Sequence, residues 1–142
     1  MFGSRYILAI ALAWALAQST KVVIASLREG HLDPAPLTQA GGMPSSHTAM
    51  VVALTTSVAR NLGLGSPIFA LSLVFSLIVM YDAAGVRRAA GRQAAVLNRV
   101  LDELFGQRRF DAGDNLRELL GHTPMEVLAG VCLGAAVGMI PF

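Results

Sequence analysis

The sequence predicts an all-α fold: a small polytopic membrane bundle of about four transmembrane helices, with an amphipathic helical insertion between the third and the fourth. Three observations lead there. The 142 residues are 54% hydrophobic and only 14% charged, whereas soluble domains carry about 25% charged residues. The apolar residues fall into four blocks rather than being spread along the chain. The polar segments between the blocks carry turn residues or helical periodicity. At this length the chain forms a single domain, residues 1–142.

The first block runs over 6–27 and is interrupted by Gln18 and Lys21. At more than 20 residues it matches a bilayer crossing. The second, 47–64, has Arg60 near its end, and the third is 67–81. Both are short for a crossing and suit tilted helices or a thinned bilayer. Between them, Asn61 to Pro67 forms a tight turn in which Gly63 and Gly65 end one helix and Pro67 opens the next. The fourth block, 124–142, is again of spanning length. Gly30, Pro34, Pro36, Gly41, Gly42 and Pro44 mark 28–46 as a loop. The stretch 86–105 puts Val86, Ala89, Ala90, Ala94, Leu97, Leu101 and Leu104 near one face, an amphipathic helix suited to the membrane surface or the side of the bundle. A second short helix is expected over 112–121.

Four crossings put both long connections, 28–46 and 82–123, on one side of the membrane, and the chain ends and the 62–67 turn on the other. Of the eleven Lys and Arg, only Arg5 and Arg60 fall on the second side. Setting aside Lys21, Arg28, Arg87 and Arg88 as candidate site residues leaves Arg92, Arg99, Arg108, Arg109 and Arg117 on the long-connection side. That excess makes it cytoplasmic, in an inner membrane or its equivalent. A signal peptide ending at Ala15-Leu16-Ala17 is the alternative reading of the N-terminal block. The single cysteine, Cys132, excludes an internal disulfide. The net charge of +2, with no long basic run interleaved with aromatics, argues against nucleic acid as a partner.

Chemistry concentrates on the long-connection side. Gly41-Gly42-Met43-Pro44-Ser45-Ser46-His47 leads into the second block. A serine there caps the helix, whose free N–H groups and positive dipole end favour phosphate, and His47 follows in the first turn. An ordinary serine cap beside an interfacial histidine is the competing reading. His122 and Glu126 are four apart, on one helix face. A carboxylate on one ring nitrogen makes the other a better nucleophile or base; an interfacial histidine with a first-turn acid is again the alternative. Lys21 and Arg28 are seven apart, two turns of one helix. A lysine in an apolar helix is either functional or snorkels to the surface. Arg87 and Arg88 offer bidentate phosphate contacts or form a basic stop after the third crossing, and Asp82 either orients one of them or caps a helix. No metal-ligand spacing is present. Gly130, Gly134 and Gly138 repeat every four residues, a stripe that suits either packing within one chain or a homo-oligomer through the last helix.

Together these residues resemble the type-2 phosphatidic acid phosphatase and vanadium haloperoxidase superfamily. Its motifs are Lys, six residues, Arg-Pro; Pro-Ser-Gly-His; and Ser-Arg, five residues, His, three residues, Asp. The chain has Lys21, six residues, Arg28, with Glu29 for Pro; Pro44-Ser45-Ser46-His47, with Ser46 for Gly; and His122, three residues, Glu126, with Glu for Asp. Leu116 stands where the third-motif arginine is expected. Gly-Gly-Met-Pro-Ser-Ser-His, Tyr-Asp-Ala-Ala-Gly-Val-Arg-Arg and Leu-Gly-His-Thr-Pro are similar to the divergent branch of this superfamily, over about residues 18–140. The resemblance implies a phosphatase that uses no metal and no cofactor, acting on a lipid or prenyl phosphate or diphosphate in the bilayer. It implies His122 as nucleophile, Glu126 as its orienting carboxylate and His47 as acid and then base. It implies Lys21, Arg28, Ser45, Ser46, Arg87, Arg88 and Asp82 around the phosphate, with Arg87 or Arg88 in place of the missing arginine.

Overall fold

The computed structural model describes residues 4–31, 42–105 and 121–142, apart from the side chains of Arg87, Arg88, Asp102 and Phe105. Gly41, the expected helix 112–121 up to Leu120, and Arg108, Arg109, Leu116 and Arg117 lie outside the described residues. Five α-helices follow one another: α1 (Ser4–Glu29), α2 (Ser46–Leu62), α3 (Pro67–Tyr81), α4 (Arg87–Phe105) and α5 (Pro124–Gly138), and no strand occurs among the described residues. The all-α class and the four apolar blocks are as the sequence predicts.

Two boundaries differ. The last block yields a helix of 15 residues rather than 19, because Thr123 and Pro124 fix its start and the chain leaves the helix after Gly138, ahead of Pro141. The third block does not stop at Tyr81. A single π-helical turn, Asp82–Val86, carries α3 directly into α4. The amphipathic insertion is therefore a continuation of the third helix, not a separate element behind a loop. By length and composition, Ser4–Glu29 and the apolar part of the joined helix, Pro67–Leu101, are long enough to cross a membrane, while α5 is apolar but shorter. At 17 and 15 residues, α2 and α5 fall below the roughly 20 needed for a perpendicular crossing.

Helix α2 is the centre of the bundle, touching α1, α3 and α5. Its contacts are made by small residues. Ala13, Ala17, Ala49, Ala53 and Val137 form the buried core, with Leu12 and Leu133 against it. Bulky apolar side chains face outward instead, among them Ile7, Trp14, Leu71, Ile78 and Leu128. This inversion of a soluble core suits helices surrounded by lipid, where close backbone approach and hydroxyl bonds supply the cohesion. Between α2 and α3, Thr55 Oγ1 donates to the Val51 and Ser72 carbonyls at 2.9 and 3.1 Å and sits 2.7 Å from Ser76 Oγ. Between α2 and α5, the glycine stripe is used within the chain. A Cβ on Gly130, Gly134 or Gly138 would come within 2.5–2.8 Å of the carbonyl of Ser45, Ala49 or Ala53. The stripe thus packs against α2 of the same chain.

Candidate active site

The site forms where the starts of α2 and α5, the middle of α1 and the π-turn meet. The start of α5 is set by a complete capping box. Glu126 N–H donates to Thr123 Oγ1 at 3.3 Å, and Thr123 N–H donates to Glu126 Oε2 at 2.9 Å. The same oxygen lies 3.2 Å from His122 Nδ1. His122 therefore precedes the helix rather than sharing a helical face with Glu126. The expected pairing is present, but the cap and not the helical repeat creates it. An ionised carboxylate only accepts, so Nδ1 donates and Nε2 carries the lone pair of the neutral ring. His122 is 5% exposed, and its backbone N–H donates to the Ala83 carbonyl of the π-turn at 3.1 Å.

The start of α2 is tied to this unit through its backbone. Ser45 N–H donates to the Glu126 carbonyl at 2.9 Å. Ser45 is the cap of α2: its Oγ accepts from Thr48 N–H at 3.4 Å and from Thr48 Oγ1 at 3.0 Å, and both residues are fully buried. These bonds give Ser45 the place of a brace between α2 and α5. Ser46, also buried, faces α1, where Lys21 Nζ donates to Ser46 Oγ at 3.4 Å.

Lys21 is 5% exposed and points into the bundle instead of snorkelling to the surface. Gly42, at φ +78°, packs beside the lysine stem, with its Cβ position 3.8 Å from Lys21 Cδ. A side chain would be strained at that φ, so the glycine lets the chain turn tightly over Lys21.

The structure thus joins Lys21, Ser45, Ser46, His122 and Glu126. His47 follows Ser46 directly, exposed in the first turn of α2 and two residues from the Ser45 amide that holds Glu126. Asp82 opens the π-turn, half-buried, with its N–H on the Ile78 and Val79 carbonyls. Arg87 and Arg88 open α4 directly after that turn. Arg28 is not brought in: it is exposed in the last turn of α1, about 10 Å along the helix axis from Lys21. Thr48, Thr123 and Ala83 complete the site without having been singled out from sequence. Thr123 was the legible one, because Thr-Pro-Met-Glu is a capping-box pattern.

Comparison with known proteins gives the family. The family model described as the Divergent PAP2 family matches residues 2–137. The chain belongs to that family. Within it, the chain is 42% identical over 135 residues to the uncharacterized membrane protein YuiD of Bacillus subtilis (strain 168), covering 87% of this chain and 85% of the relative. No solved structure matches. The chain is a helical membrane protein of the Divergent PAP2 family, and its joined segments are those that carry the family resemblance.

Proposed function

We propose that this protein is an integral membrane phosphatase that needs no metal and hydrolyses a lipid or isoprenoid phosphate, or diphosphate, through a phosphohistidine. The observation that carries the reading is the buried His122, whose Nδ1 lies on Glu126 in a unit bonded to the start of α2, where Ser46 accepts from Lys21. With Nδ1–H held by the carboxylate, the Nε2 lone pair attacks phosphorus and the leaving alkoxide takes a proton from His47. His47 then removes a proton from water, which attacks the phosphohistidine and releases phosphate. Lys21, the Ser46 hydroxyl, the first amides of α2, and Arg87 and Arg88 balance the charge of the transferring phosphoryl group. Asp82 serves to orient one of these arginines, and Arg28 attracts the anionic headgroup from the rim.

The outward-facing bulky residues suit a substrate that stays in the bilayer with only its phosphate at the site. The excess of arginine on the long connections supports four crossings with the site on the cytoplasmic face. A second reading, a phosphate-binding membrane protein without turnover, is favoured by the motif departures at Glu29 and Leu116.

Purified protein given a panel of lipid and prenyl phosphates in the presence of a chelator should release inorganic phosphate, with vanadate inhibiting. Acid-labile phosphate should map to His122. Both His47→Ala and His122→Ala should lose turnover. Absence of release across the panel, with His122→Ala identical to wild type, overturns the phosphatase reading. Phosphate binding without phosphohistidine would favour the second.

A further inference from the structure

We propose that the π-helical turn Asp82–Val86 is a positioning device for the candidate nucleophile: its additional residue sets the Ala83 carbonyl where it holds the backbone of His122. The activity readout of this inference rests on the phosphatase reading; the hydrogen-exchange readout does not.

Within the wider turn the Ala83 carbonyl accepts the His122 amide at 3.1 Å. Widened turns of this kind occur as single insertions inside α-helices, frequently at functional sites. The sequence Asp82-Ala83-Ala84-Gly85-Val86 suits the contact, since Ala83 is buried and three successive small residues let the start of α5 approach. The amide of a buried residue must keep an acceptor, so straightening the turn would loosen His122.

The test uses the full chain reconstituted in lipid. Deleting Ala84 removes the additional residue. Phosphate release should fall in kcat/KM by about 100-fold, the order expected for misplacement by about an ångström, and hydrogen exchange at the His122 amide should accelerate. Restoring one alanine between Val86 and Arg87 re-creates the five-residue turn and should recover both readouts. Restoring it after Arg88 returns the same chain length and the phase of the rest of α4, and should recover neither. If both insertions rescue equally, chain length alone matters and the proposal is wrong. Unchanged exchange at His122 in the deletion variant overturns it as well, as does a failure of the insertion between Val86 and Arg87 to rescue when thermal melting shows that protein folded. Absence of turnover in the wild type would sink the phosphatase reading instead, while the exchange comparison still decides whether the turn anchors His122.

Discussion

The amide of Ser45 donates to the carbonyl of Glu126 across 2.9 Å. This bond joins two segments about eighty residues apart in the chain. It links the cap of α2 to the carboxylate residue that holds His122, and so ties the two candidate motifs together. The glycine at position 130 makes the approach possible, because a Cβ there would lie 2.7 Å from the Ser45 carbonyl and 2.9 Å from Thr48 Cβ.

Gly130→Ala should therefore act on stability and on the site together. The neighbours at those distances are backbone and a fully buried threonine, which cannot swing aside. Overpacking of this kind costs about 1–3 kcal/mol. A lowered melting temperature in detergent and reduced phosphate release are expected, whereas Gly65→Ala, with open space around it, should leave both near wild type. Equal behaviour of the two variants would contradict the packing account.

Glu126 performs two tasks with one oxygen, and two substitutions separate them. In Glu126→Gln the side chain keeps its length and can still accept from Thr123 N–H. It no longer carries the charge that stabilises an Nδ1-protonated ring. Phosphate release should fall by about two orders of magnitude or more, with a small change in melting temperature. Glu126→Asp keeps the charge but shortens the reach, so it should also lose part of the cap, worth about 1 kcal/mol. NMR of ring-labelled His122 reads the tautomer directly: a wild-type pattern in Glu126→Gln would show that the carboxylate does not set it.

Lys21 and Arg28 share a motif but not an environment. Lys21 is buried on Ser46, and Arg28 is exposed at the helix end. Lys21→Met should raise KM and lower kcat, with a loss in kcat/KM of at least about tenfold, since a charge-assisted contact contributes about 1.5–3 kcal/mol. Arg28→Met should act mainly on KM and weaken further as salt rises, because exposed charges are screened. A larger kcat effect at Arg28 than at Lys21 would reverse the assignment.

The hydroxyl cluster joining α2 to α3 gives a prediction independent of any activity. Ser76 Oγ donates to the Val51 carbonyl at 3.0 Å and adjoins Thr55 Oγ1. Ser76→Ala alone leaves a buried partner less satisfied and should destabilise by about 1–3 kcal/mol. The double variant Thr55→Val with Ser76→Ala should cost less than the sum of the singles. Strict additivity in a double-mutant cycle would indicate that the two hydroxyls do not interact.

The sequence alone determined the helical class, the four apolar blocks, the amphipathic stretch over 86–105, a cap at Ser45 or Ser46 and the His122–Glu126 pair. Each of these is written in local composition or in spacings of a few residues, which backbone geometry converts into faces and caps. Tertiary structure decided what local spacing does not encode. It turned Lys21 inward while leaving Arg28 outside, although a seven-residue interval puts both on one face, because Ser46 and Gly42 cover only the Lys21 level of α1. It committed the glycine stripe to α2 of the same chain, since a small-residue face reads alike whichever helix fills it. It also carried α3 through a π-turn into α4, where the Ala83 carbonyl finds its acceptor role only because the start of α5 arrives beside it. A hydrogen bond between distant segments has no signature in either segment alone, and that is why the gathering of these residues into one site could be read only from the folded chain.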